Sequence, residues 1–205
     1  MAATVRTLKP IVLATASASR RALLKGAGVA FEALASDVDE AAIKAASRQA
    51  GKTVAETALA LARAKAAAVQ ALRPGALVIG ADQMLDLDGA WFDKPADMAM
   101  ARQQLAALRG KTHSLHAALC LFGPDGEIWS DVPAAQLTMR AFSDAFLVDY
   151  LDDVGETALK SVGGYFLEGL GVQLFERIDG DYFTILGLPM TELLKALRAA
   201  GALPA

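Results

Sequence analysis

The sequence predicts a mixed α/β fold, and three observations carry that prediction. Short apolar runs bounded by turn residues read as buried strands, Ala/Leu-rich segments with capping residues read as helices, and two Gly-containing turns join alternating segments as hairpins.

Ile11 to Thr15 reads as a short buried strand, followed by a helix over Arg20 to Lys25, closed by Gly26 and Gly28. Val29 to Leu34 reads as a strand and Ser36 to Glu40 as an acidic loop. Thr53-Val54-Ala55-Glu56 is a capping-box pattern opening a long helix to about Leu72, with Leu59, Ala62 and Ala66 at helical spacing. Leu77 to Ile79 is the central strand, and Leu85 to Trp91 turns as a hairpin at Asp88-Gly89. Asp97 caps a helix through Leu108, and Gly110 ends it. Thr112, Ser114 and His116 alternate with His113 and Leu115, leading into the apolar run Ala117 to Phe122. Pro124-Asp125-Gly126 turns the chain into a partner strand over Ile128 to Met139. Ser143 caps a helix from Asp144 to about Leu151. Tyr165 to Leu167 and Val172 to Ile178 read as strands, and Thr191 to Ala200 as a final helix.

The chain has 205 residues, 54% hydrophobic and 21% charged, enough for a packed core and too apolar for a disordered chain. Its formal net charge of −3 argues against nucleic acid as a partner, which calls for a basic face. The single cysteine, Cys120, forms no internal disulfide and reads as a buried core thiol; a reducing cytoplasmic setting fits. The first apolar stretch is too short for a signal or membrane segment, so no membrane partner is expected.

Two places conflict with simple folding rules. The apolar run Ala76 to Ile79 climbs to Gly80-Ala81-Asp82, so Asp82 is read as a carboxylate at the mouth of a buried strand, where it needs a partner or a task. Its functional roles are general base toward water or ligand of a divalent cation; the structural alternative is a cap on the next turn. Arg20 and Arg21 open a helix whose macrodipole favours acids there. With the hydroxyls of Ser17 and Ser19, that helix end makes a phosphate cradle. The alternative is solvated arginines with Ser19 as a plain N-cap. Glu40 offers a second carboxylate for metal, and Lys65 and Lys94 are either phosphate contacts or surface charges.

Other patterns carry less. Asp86-Leu87-Asp88-Gly89 resembles the first motif of haloacid-dehalogenase-type phosphatases but fits a hairpin turn better. His113 and His116, three apart in a strand, face opposite ways and make no metal pair. Ser114 lacks the glycines of a nucleophile elbow.

Taken in order, these pieces resemble the Maf family of nucleotide pyrophosphatases, over nearly the whole chain. Leu13 to Leu24 resembles its opening signature, Asp37 to Glu40 its acidic loop and Leu61 to Ala66 its helical lysine motif. Ile79 to Gln83 with Lys94-Pro95 resembles its central motif. Glu168-Gly169-Leu170-Gly171, Gly180-Asp181 and Gly187-Leu188-Pro189 resemble its C-terminal pattern.

The resemblance implies a single Maf/ITPase-like domain over residues 1–205, with an elongated mixed sheet flanked by helices and two lobes around a deep cleft. It implies hydrolysis of a nucleoside triphosphate between the α- and β-phosphates, with a divalent metal, Mg or Mn, and admits a homodimer. Asp82 becomes the proton acceptor; Ser17, Arg20, Lys65 and Lys94 become phosphate contacts; Glu40 and Asp82 become the metal-side carboxylates. Ser19, Gln83 and Glu168 depart from the branch acting on thymidine and uridine triphosphates and resemble the branch acting on 7-methyl-GTP. Glu168 is suited to accept from a guanine N1–H and 2-amino edge. Thr15 and Ala18 replace the family's usual Ser and Pro and keep the loop small. Three further readings are a pyrimidine-specific pyrophosphatase, a broad-range one, and a nucleotide-binding regulator of cell division that signals by occupancy.

Overall fold

The computed structural model describes residues 6–204. The elements run β1 (Ile11–Ala14), α1 (Ala18–Gly26), β2 (Glu32–Ala33), α2 (Glu40–Gln49), α3 (Val54–Leu72), β3 (Leu77–Leu87), β4 (Ala90–Phe92), α4 (Met98–Leu108), β5 (Thr112–Gly123), β6 (Gly126–Asp131), β7 (Ala134–Met139), α5 (Asp144–Val154), β8 (Phe175–Asp179), α6 (Tyr182–Ile185) and α7 (Met190–Ala199). Short 3₁₀ turns fill the stretch between α5 and β8. The mixed α/β class is as the sequence predicts, with strands hydrogen-bonded in the order β2-β1-β3-β5-β7-β8, β4 paired to β3 and β6 to β5.

The chain divides into two compact units, and β3 and β5 each contribute to both. The first unit comprises residues up to Gln83, Ala117–Pro133 and the segment from Tyr182 onward. In it β1 runs parallel to β2 and to β3, with Ile11 opposite Leu77 and Ala14 opposite Gly80. Its core joins Leu13, Leu24, Ile79, Leu119, Leu188 and Leu193, all fully buried. The second unit comprises Met84–His116 and Ala134–Asp181. There β7 pairs antiparallel with β5 and β8. Gly163 lies so close to Leu85 and Tyr165 that a Cβ would sit 2.7 and 2.9 Å from their side-chain carbons.

Several elements follow from local chemistry as expected. Thr53 and Glu56 close the capping box on α3, with Glu56 N to Thr53 Oγ1 at 3.2 Å and Thr53 N to Glu56 Oε2 at 2.8 Å. Asp97 and Ser143 cap α4 and α5. The β3–β4 hairpin turns through Asp88 (φ 51°) and Gly89 (φ 85°), and Asp86 Oδ1 accepts from Gly89 N at 2.9 Å. That is a two-residue turn with both central residues at positive φ. The Asp86-Leu87-Asp88 run is therefore a hairpin and not a phosphatase motif.

Other expectations are corrected. The central strand does not stop at Ile79; β3 continues to Leu87, and Asp82 lies in its middle rather than at its end. Its neighbours Ala81, Met84 and Leu85 are buried, so the chain stays in the sheet and the charge is met by a partner instead. Glu40 is the first residue of α2 rather than part of a loop, with Asp39 as N-cap accepting from Ala42 N at 2.9 Å. The Ala-rich run behind it has high helix propensity. Helix α1 starts at Ala18, and Ser17, not Ser19, is its N-cap. Only Glu32–Ala33 of the Val29–Leu34 segment pairs as a strand. Ile128 to Met139 is two strands, parted at Val132-Pro133, because proline has no N–H to give the ladder. Tyr165 to Leu167 is not a strand, and the late strand is confined to Phe175–Asp179 behind a 3₁₀ turn.

Candidate active site

Strand β3 sends alternate residues to opposite faces. Gly80 and Asp82 face α3, and Ala81 and Gln83 face the C-terminal segment. Gly80 decides how close α3 lies: a Cβ there would stand 2.2 Å from the Ala62 carbonyl oxygen, 2.7 Å from Cys120 Sγ and 2.8 Å from Ala66 Cβ. With glycine, the α3 backbone packs directly on the strand. Lys65, next to Ala66 on that helix, thereby reaches Asp82.

Lys65 Nζ lies 2.6 Å from Asp82 Oδ1 and 2.8 Å from Glu40 Oε1. The Asp82 and Lys65 side chains are 9% and 12% exposed and that of Glu40 47% exposed, so the pair deepest in the fold is Lys65–Asp82. One ammonium serves two carboxylates, and the Arg20 guanidinium adds a second positive charge that acts on both. Hard oxygen donors match magnesium or manganese, which bind through one or two carboxylates plus water and phosphate oxygens. Among the described residues there is no group of three or more His, Cys, Asp or Glu side chains that could cage a metal alone. The donor set fits a cation shared with a phosphorylated ligand.

Arg20 sits beside this trio. Its Nη1 donates to the Ala81 carbonyl at 3.0 Å and its Nε to the Gly187 carbonyl at 2.9 Å. Burial draws its pKa down from the ordinary guanidinium value, and the charges of Asp82 and Glu40 oppose that shift. Two of its five N–H groups are spent on carbonyls; among the described residues the other three meet no further acceptor, which suits an anion. Ser17 Oγ accepts from Arg20 N at 3.4 Å, and Ser17 N donates to Thr15 Oγ1 at 3.1 Å, folding the loop onto the start of α1. No acidic residue occupies the first turn of α1. Ser19 is half-buried on that turn, and Arg21 and Lys25 are exposed.

Ser17, Arg20, Glu40, Lys65, Asp82 and Gln83 thus all belong to the first unit. Hydrogen bonds and ion pairs tie Arg20 to the residue before Asp82, and Asp82 and Glu40 to Lys65. Lys94 and Glu168 belong to the second unit, where both are exposed, Lys94 just before the buried Pro95 and Glu168 just before Gly169. His113 also lies there, with Nε2 2.7 Å from Tyr165 Oη, and takes no part in this cluster. Cys120 is fully buried with its thiol pushed up to about 12 by burial, so it is chemically inert.

Sequence reasoning missed the C-terminal side of this arrangement. Gln83 Nε2 donates to the Thr184 and Ile185 carbonyls at 3.0 and 2.9 Å, and Gly187 supplies the carbonyl held by Arg20. A signal existed: the mostly apolar stretch Tyr182 to Leu186 followed by Gly187 reads as a short helix with a left-handed glycine stop, and Gly187 has φ 86°. What the sequence did not offer was which donors meet those carbonyls.

Known proteins place the chain in context. A 7-methyl-GTP pyrophosphatase of Rhizobium meliloti is 50% identical over 199 residues, covering 97% of this chain and 100% of the relative. A nucleoside triphosphate pyrophosphatase of Paramagnetospirillum magneticum is 50% identical over 192 residues, covering 94% of this chain and 99% of the relative. A solved nucleoside-triphosphatase / dITP/XTP pyrophosphatase of Mycobacterium abscessus aligns over 94% of this chain and 95% of its own, at 15% identity and TM-score 0.43. The profile described as Maf-like protein matches residues 10–200, and the chain belongs to the Maf family.

Proposed function

We propose that this chain is a nucleoside triphosphate pyrophosphatase that prefers 7-methyl-GTP or a related modified nucleotide. Water adds to a phosphorus of the α–β anhydride, the bridging P–O bond breaks, and nucleoside monophosphate and pyrophosphate leave. The observation that carries the reading is the cluster in which Asp82 and Glu40 share Lys65 while Arg20 is bound to the carbonyl beside Asp82. Lys65 Nζ holds Asp82 Oδ1 at 2.6 Å, and in this reading Asp82 takes the proton from water. Arg20, Lys65 and Ser17 then hold the phosphate oxygens. A divalent cation held by Glu40 and Asp82 would neutralise phosphate charge and make its bound water more acidic. The relatives named above support the reaction class, since both carry pyrophosphatase names at half identity over nearly their full length.

The cytoplasm is the proposed compartment: the lone cysteine is a buried thiol, as suits a reducing setting. Among the described residues no helix is long and apolar enough to cross a membrane. A homodimer is the assembly the family resemblance implies.

The test is a panel of nucleoside triphosphates with Mg²⁺ or Mn²⁺, measuring pyrophosphate and orthophosphate separately, for the native chain and for Glu168→Gln. Pyrophosphate is expected, with 7-methyl-GTP ahead of UTP and dTTP, and with the purine preference reduced in Glu168→Gln. Orthophosphate alone would make this a phosphatase, and nucleotide binding without release of either would favour a regulator that acts by occupancy.

A further inference from the structure

Gln83 stands next to Asp82 in β3, yet its side chain faces away from Lys65, toward the segment that ends α6. The carbonyls of Thr184 and Ile185 close this short helix in a buried place; both residues are buried, and so is Gly187. Buried carbonyls at a helix end need donors. Gly187 N donates to the Thr184 carbonyl at 3.0 Å, and the two N–H groups of the Gln83 amide add bonds to the Thr184 carbonyl at 3.0 Å and the Ile185 carbonyl at 2.9 Å. The opposite amide orientation would set oxygen against oxygen, so the network itself fixes Nε2 toward the helix. The next carbonyl, that of Gly187, is held by Arg20 Nε at 2.9 Å. The segment from Thr184 to Gly187 is therefore gripped twice, once by Gln83 and once by Arg20. A Cβ on Gly187 would stand 3.2 Å from Gln83 Oε1 and 3.6 Å from Arg20 Nε, so the two grips also meet each other there.

We infer that Gln83 is a positioning residue: by fixing the Thr184–Gly187 turn it fixes the Gly187 carbonyl, and through that carbonyl it aims the Arg20 guanidinium at the phosphates. The inference rests on the phosphate role given to Arg20 above. It separates the Gln83 amide nitrogen from reading of the base. That nitrogen is committed to main-chain carbonyls, and a side chain so committed has no N–H left for a nucleobase. The consequence is a sign that base recognition would not produce: losing Gln83 weakens the grip on every triphosphate by the same factor.

The experiment compares Gln83→Met, which keeps the length and removes the donors, with Gly187→Ala, which disturbs the same turn from its other side. Inorganic tripolyphosphate serves as a base-free probe, its binding measured by calorimetry alongside KM and kcat for three nucleoside triphosphates. Gln83→Met is expected to weaken tripolyphosphate about tenfold, the equivalent of about 1.4 kcal/mol. KM should rise by a similar factor for each nucleotide, with the ratios between bases unchanged. Gly187→Ala is expected to show the same base-independent pattern. In an Arg20→Ala background, Gln83→Met should change tripolyphosphate binding less than about twofold, because its effect travels through the missing guanidinium.

A shifted base ratio with unchanged tripolyphosphate binding would overturn the inference and make Gln83 a base-reading group. Effects of Gln83→Met and Arg20→Ala that simply multiply would also overturn it, leaving general loosening of the fold. Native chain that releases no pyrophosphate yet binds tripolyphosphate with this Gln83 dependence would remove the proposed reaction and leave the positioning role standing. Failure of the native chain to bind tripolyphosphate would remove the phosphate role of Arg20 and the positioning role with it.

Discussion

Asp82 is a carboxylate inside a strand whose other residues are apolar, and its exposure is only 6%. A lone buried carboxylate is costly; Lys65 at 2.6 Å offsets that cost. In the proposed reaction Asp82 is the general base, its Oδ1 oriented by Lys65. Asp82→Asn preserves shape and removes the proton acceptor, so turnover should fall by about 10²-fold or more while triphosphate binding is largely retained. Single-turnover kinetics alongside equilibrium binding checks this, and near-native turnover would remove Asp82 from the proposed role. At this scale the sequence was informative where a residue broke a rule. An acid shortly after the apolar run Ala76 to Ile79 and an arginine near a helix start, Arg20, both flagged real partners. The sharing of Lys65 between Glu40 and Asp82 was not legible, because pairing across α2, α3 and β3 depends on how those elements dock.

Elements, rather than residues, determine whether Lys65 arrives. Helix α3 lies on β3 at the one strand position without a side chain, and the Ala62 carbonyl occupies the space where the Gly80 Cβ would be. Gly80→Ala forces the helix backbone to retreat, since the obstacle is main chain and not the flexible end of a side chain. Overpacking of this sort destabilises by about 1–3 kcal/mol. Here it also withdraws Lys65 from Asp82, so melting temperature and kcat should fall together. A native melting curve with native kcat would show that the contact yields without consequence. The helices with strong caps, α3, α4 and α5, were readable to within a few residues, because an N-cap is a local signal. The strands were less so. The extent of β3 past Asp82, and the break at Pro133, reflect hydrogen-bonding neighbours that a single strand's pattern does not name.

For the whole molecule, strand order was the least legible feature: nothing local says that β1 lies between β2 and β3 or that β7 lies between β5 and β8. What the whole chain does determine is its response to acid, which sums over every group whose proton affinity the fold changes. Glu32, Glu127 and Asp144 have pKa values lowered chiefly by hydrogen bonds from Arg73, Arg63 and Arg109. These pairs lie at or near the surface, where each contributes little. His113 is different. It is 1% exposed, packed against the rings of Tyr165 and Phe175, and burial lowers its pKa from 6.5 to about 4. Its Nε2 meets Tyr165 Oη, while its Nδ1 has no hydrogen-bond partner among the described residues to stabilise a second proton. The folded chain therefore holds His113 neutral where the unfolded chain protonates it. Its contribution to stability is fully present above pH 6.5 and is lost as the pH falls toward 4, amounting to about 3 kcal/mol over that window. Urea unfolding at pH 7 and pH 4.5 should show the native chain losing more stability than His113→Gln, which has no group to titrate there. The surface carboxylate pairs are common to both proteins and cancel in the comparison. Equal losses in the two would mean that His113 takes up its proton within the folded core, and that acid sensitivity resides in the carboxylates instead.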